Sequence, residues 1–209
     1  MKDTKITDAI VPIYCDNAFG GTGFIYKSYL ITAAHVVDKS KDICFVYRGN
    51  IYKVQEGDRL YCKIYGKERD EYGRMIFNAL TEDLAIYTIG LYSSAFALSK
   101  EIVRDGTNAS LFGYHYENNA SIPLRNGIVE LLNDSRIDRV SFFPQDYCMY
   151  CRRLDNNFDV IKGYSGGPIV IGNTIVGMLI EKMTIAGYYH IMKANRIFEI
   201  LSANNPYNN

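Results

Sequence analysis

Short apolar runs broken by turn residues recur along almost the whole chain, and this pattern commits it to strands rather than long helices. Residues 9–14, 20–26, 29–32, 43–47, 51–54, 60–64 and 84–89 have this character in the first half. Residues 109–114, 127–132, 140–143, 147–152, 169–171, 174–180 and 188–192 continue it in the second. Between them, residues 91–107 are less periodic and end in Asp105-Gly106-Thr107, which reads as a linker. A glycine turn is expected ahead of Gly20, and Gly172-Asn173 is a hairpin signal. Residues 33–37 look like one helical turn. Residues 195–202 have helical spacing, with Ile197, Ile200 and Leu201 on one side. The 18 tyrosines and the many β-branched residues favour strands. Strands at this spacing, closed by one helix, predict an all-β fold of two antiparallel barrels, residues 1–100 and 101–209.

Bulk properties remove several classes of function. The chain has 23 basic and 23 acidic residues and a formal net charge of zero. That gives no support for nucleic-acid or anionic-membrane binding as a main role. No apolar run approaches the roughly 20 residues of a membrane span. The polar start, Met1-Lys2-Asp3-Thr4, lacks the apolar centre of a secretory leader and points to the cytoplasm. The five cysteines, at 15, 44, 62, 148 and 151, are odd in number and fit reduced thiols better than a disulfide framework. Cys148 and Cys151 have the spacing of a zinc half-site or a redox pair. No second Cys/His pair completes a zinc site, and the stretch is strand-like, so both read as small apolar residues on or near a strand.

Three segments carry chemistry. Residues 163–168 read Gly-Tyr-Ser-Gly-Gly-Pro. Such a turn lets a substrate carbonyl approach the backbone closely and can aim the N–H groups of Gly163 and Ser165 at one point. Upstream lie Ile31-Thr32-Ala33-Ala34-His35 and Asp83-Leu84-Ala85. A serine hydroxyl needs an adjacent base, and an imidazole needs a carboxylate to fix its tautomer. Each residue alone is better explained by a core, strand-end or turn role. Together, His35, Asp83 and Ser165 follow one of the chain orders in which that triad occurs. His115 and His190 lack such a context and read as structural or surface residues.

These segments, with Gly21-Thr22-Gly23-Phe24-Ile25, resemble those of the trypsin/chymotrypsin-like serine peptidases, a clan that includes HtrA-type and many viral enzymes. The likeness runs in the same order over nearly the whole chain. It implies two six-stranded barrels, with His35 and Asp83 on the first and Ser165 on the second. It also implies a protein or peptide substrate, an acyl-enzyme, an oxyanion hole at Gly163 and Ser165, and no metal or organic cofactor. Ungapped alignment puts Asp159 at the floor of the primary pocket, where a carboxylate would attract Arg or Lys. In the same alignment Ile180, Glu181 and Lys182 line the wall, Gly187 keeps the pocket open and Lys162 lies near the entrance. Tyr164 stands where zymogen-activated members carry an acid, which argues against activation by propeptide cleavage. A constitutive site and one switched by a partner both stay open. The alternative to a processing protease is a catalytically silent module that binds an extended peptide in the cleft.

Overall fold

The computed structural model describes residues 5–63, 68–69, 75–76, 83–115, 123–132, 147–155, 160, 162–182 and 187–204. The first hairpin joins β1 (Ile10–Cys15) to β2 (Ala18–Thr32). Its turn is Asp16-Asn17, with φ of 50° and 67°, the left-handed pair that a two-residue hairpin requires. The expected glycine turn is therefore displaced. Short polar side chains tolerate this conformation, and Gly20 and Gly21 lie inside β2 instead. The runs at 20–26 and 29–32 are one strand, with an irregularity between Lys27 and Tyr29 where Lys27 has φ 53°. A single helical turn, α1 (Ala34–Val37), follows β2 directly.

The first sheet adds β3 (Ile43–Tyr47), β4 (Asn50–Val54), β5 (Arg59–Lys63) and β8 (Leu84–Ser93), in the order β4-β3-β1-β2-β8-β5. A separate small pair, β6 (Glu68–Arg69) with β7 (Met75–Ile76), lies between β5 and β8 in sequence. The second sheet comprises β10 (Asn108–Tyr114), β11 (Leu124–Leu132), β12 (Cys148–Arg153), β13 (Pro168–Ile171), β14 (Thr174–Lys182) and β15 (Tyr188–Lys193). It closes into a six-stranded barrel because β13 pairs with both β10 and β14. The stretch expected as a linker contributes a strand of its own. β9 (Ala97–Leu98) runs parallel to the start of β14. The expected strand at 140–143 lies outside the described residues.

The chymotrypsin-like fold thus has an open six-stranded sheet facing a closed barrel, capped by α2 (Ala194–Ala203). Ile197, Ile200 and Leu201 bury one side of α2, as the spacing predicts. The two sheets share one apolar core: Phe24, Ile31 and Leu84 from the first pack in the same cluster as Phe112, Ile175 and Met178 from the second. A second cluster fills the barrel interior around Leu111, Leu131 and Tyr189. All five cysteines are free thiols. No helix among the described residues is long and apolar enough to cross a membrane.

Tyr164 belongs to this architecture. It is 2% exposed and lies flat against β10, where a Cβ on Gly113 would come within 2.3 Å of its Cδ1. Gly113→Ala is therefore expected to lower the unfolding free energy by roughly 1–3 kcal/mol through overpacking. Gly90→Ala meets nothing within 4 Å and is expected to stay within about 0.5 kcal/mol of wild type. Urea unfolding of the two variants checks the contrast.

Candidate active site

His35 is carried on α1, immediately after β2. Asp83 precedes β8, the neighbour of β2, so the ladder between these strands brings them together: Thr32 pairs with Ala85. Asp83 is 2% exposed and acts at two points on the histidine. Its Oδ1 accepts the His35 backbone N–H at 2.8 Å. Its Oδ2 accepts a short hydrogen bond from His35 Nδ1–H. The carboxylate thereby fixes backbone and ring, and turns Nε2 outward on a side chain that is 43% exposed.

Ser165 is held to the same strand, β2, by a residue to which the sequence reading gave no role. Thr22, on β2, is fully buried. Its N–H donates to Ser165 O at 3.0 Å, and its Oγ1 donates to Gly163 O at 2.7 Å. That same Oγ1 accepts the Tyr114 N–H at 2.9 Å, while Thr22 O accepts the Thr32 hydroxyl at 2.7 Å. One threonine thus ties the serine turn to β10 of its own barrel and to the strand that delivers His35.

The turn itself is tightly specified. Gly163 and Gly166 have φ of 110° and 85°. A Cβ on Gly166 would fall 2.1 Å from Thr22 O, so no side chain fits there. Tyr164 O accepts the Gly167 N–H at 2.9 Å. Because the peptide is trans, the Ser165 N–H points the opposite way, out of the turn. Among the described residues neither the Gly163 nor the Ser165 N–H makes a hydrogen bond. No hydrogen bond joins Ser165 Oγ to His35, a gap that unliganded sites of this kind often show.

A sequence model of the trypsin-like peptidase domain matches residues 21–178, which span all three segments. The chain belongs to the trypsin-like peptidase family. Solved structures share its fold at low identity. The active form of the Rv3671c protease from M. tuberculosis is 14% identical, covering 96% of this chain and 82% of that one, with a TM-score of 0.65. A scabies mite inactivated protease paralogue is 15% identical over 97% and 96%, with a TM-score of 0.71. The HtrA-type protease AlgW, solved with a decapeptide, is 14% identical over 96% and 65%, with a TM-score of 0.68. No curated protein matches the chain by sequence.

The other residues expected at the site of this trypsin-like peptidase are distributed unevenly. Ile180 is buried in the shared core, so its main chain is what it can offer a ligand. Glu181 and Lys182 are exposed at the end of β14. Glu181 pairs with His190 Nδ1 at 3.2 Å, and its charge also acts on His35. His190, read as structural or surface, is buried beside Tyr150 and bound to this cleft-edge carboxylate. Gly187 opens β15 with φ 81° and open space around it, and its carbonyl accepts the Arg153 N–H at 2.8 Å. Lys162 is exposed, and Asp159 lies outside the described residues.

The His35 pKa lies above its ordinary 6.5. Burial is the largest single influence and pushes it down. The hydrogen bond and charge of Asp83, with a smaller push from Glu181, together outweigh burial. A raised folded-state pKa stabilises the fold fully below the unfolded value, and that contribution disappears as pH rises through the folded value. An NMR titration of His35 is expected to show a midpoint above 6.5, displaced downward by Asp83→Asn. Thr22→Val strands the Gly163 carbonyl and the Tyr114 N–H. It is expected to lower the unfolding free energy by roughly 1–3 kcal/mol, whereas Thr22→Ser keeps both bonds and stays near wild type in urea.

Proposed function

We propose that this trypsin-like peptidase is a catalytically competent serine endopeptidase with His35, Asp83 and Ser165 as its triad. The observation that carries this reading is the doubly anchored His35–Asp83 pair, delivered by the same strand, β2, to which Thr22 ties a serine turn whose Gly163 and Ser165 N–H groups bind nothing else among the described residues. In the reaction Ser165 Oγ attacks the scissile carbonyl while His35 Nε2 takes its proton. The Gly163 and Ser165 N–H groups receive the oxyanion. His35 then delivers the proton to the leaving amine, and water attacks the acyl-serine by the same route in reverse. Asp83 holds the tautomer throughout and stabilises the imidazolium.

A substrate would lie extended along residues 180–182 and pair with the main chain there. Glu181 and Lys182 set opposite charges at the edge of that path, which supports a narrow, processing type of specificity. Asp159 is proposed as the floor of the primary pocket, with Gly187 leaving its mouth open, which would favour Arg or Lys before the cleaved bond. The likeness to a structure solved with a decapeptide fits a peptide ligand. The second reading is a silent peptide-binding relative. It is favoured by the likeness to an inactivated paralogue.

A fluorophosphonate probe separates the two. Labelling is expected on Ser165, lost in Ser165→Ala and His35→Ala, and slowed about 10⁴-fold in Asp83→Asn. The labelling rate should rise with pH through the elevated His35 pKa, because only neutral imidazole accepts the proton. A folded protein that stays unlabelled across that range would favour the binding-only reading.

A further inference from the structure

We propose that Gly21 is a positioning residue for the reaction, the spacer that sets how closely the helical turn carrying His35 and the turn carrying Ser165 approach each other. The inference deepens the serine-peptidase reading above and rests on it. Gly21 is buried in β2, opposite Ile13 of β1. A Cβ there would lie 2.8 Å from Val36 Cγ2, 3.0 Å from Val36 Cγ1 and 3.0 Å from the Ser165 carbonyl oxygen. Val36 follows His35 on α1. The space left by one absent side chain therefore touches both the histidine's helical turn and the serine's main chain.

Backbone conformation does not account for this glycine. Its φ lies outside the left-handed region, within a strand where other residues fit equally well. The constraint is space, and the neighbours are not free to yield. The Ser165 carbonyl is held by the Thr22 N–H at 3.0 Å. On the other side, Cys15 Sγ–H donates to Val36 O at 3.1 Å, and Asp83 accepts both the His35 backbone N–H at 2.8 Å and the ring N–H. Gly20 extends the same seat: a Cβ on it would lie 3.1 Å from Cys15 Sγ and 3.3 Å from Val36 O. The two turns thus meet over a pair of glycines in β2.

A methyl group at position 21 has to be accommodated by moving one turn from the other, because a close-packed interior has no spare volume. The Asp83 bonds hold His35 and the Thr22 bonds hold the serine turn. Displacement therefore appears between His35 and Ser165, where no hydrogen bond among the described residues resists it. Proton transfer needs Ser165 Oγ within hydrogen-bond reach of His35 Nε2 during attack. A misplacement of about 1 Å costs on the order of 10²-fold in rate.

Fluorophosphonate labelling rates measured across pH test the assignment. The high-pH plateau for Gly21→Ala is expected to fall about 10²-fold, with the midpoint set by His35 unmoved. Gly21→Ala combined with Val36→Ala removes the two methyl groups that the new one strikes, and should restore most of the rate. Stability should fall further in that double variant, since it truncates a second buried side chain, so rescue cannot come from a firmer fold. Wild-type labelling by Gly21→Ala would overturn the inference, as would a shifted midpoint or a double variant slower than the single one. Should Gly21→Ala fail to fold, Val36→Ile adds its methyl group from the α1 side of the same contact. Slowed labelling then supports the spacer, and an unchanged rate overturns it. Wild-type protein that never labels would sink the serine-peptidase reading together with this inference, whereas the other failures leave that reading standing.

Discussion

The placing of the serine turn against β2 depends on the hydrogen bonds of one buried threonine. Thr22 uses its N–H, its hydroxyl and its carbonyl at once: the first two hold the serine turn, the hydroxyl also accepts from β10, and the carbonyl accepts from Thr32. These bonds span 141 positions to Gly163 and 92 to Tyr114. Position 22 also explains why the first ladder tolerates a proline. Pro12 stands opposite Thr22 and has no N–H, while the Thr22 N–H is directed at Ser165 rather than at β1. The interior around these groups excludes water, so leaving any of them unmet is costly, and the serine turn has one arrangement rather than several.

The second constraint is electrostatic. Asp83 is almost wholly buried, and a carboxylate in that position must be neutralised or hydrogen-bonded. His35 supplies both bonds, from its backbone and from its ring. That arrangement orients the imidazole before any ligand arrives. Because the ring remains partly open to solvent, its outer nitrogen is accessible to a substrate proton. Glu181 adds a further negative charge on the same side, held against His190. A cationic group entering along β14 would therefore act on His35 as well as on Glu181.

Strand identity was widely legible because alternating and continuous apolar runs bound most strands, and α2 followed from three apolar positions at helical spacing. The chemistry-bearing segments were legible for a different reason. Each is a short local pattern, and their order along the chain added the decisive constraint. What escaped was non-local. Thr22 sits inside a motif that was noticed, but its role exists only once β10 and the serine turn pack against β2. Likewise, Tyr164 reads as a missing acid in sequence and as a packing partner of Gly113 in space. β9 escaped because two residues have no period, and the first turn because Asp16-Asn17 carries no glycine. Asp159 lies outside the described residues.

The most direct test of the central claim, that this scaffold activates Ser165, is the pre-steady-state reaction with an activated ester such as p-nitrophenyl acetate. The account predicts a burst of nitrophenol equal in amount to the protein. It also predicts an acetyl group on Ser165 in the peptide map, and a burst rate that grows as His35 loses its proton. A folded protein that releases nitrophenol without a burst, or that carries the acetyl group elsewhere, would contradict it.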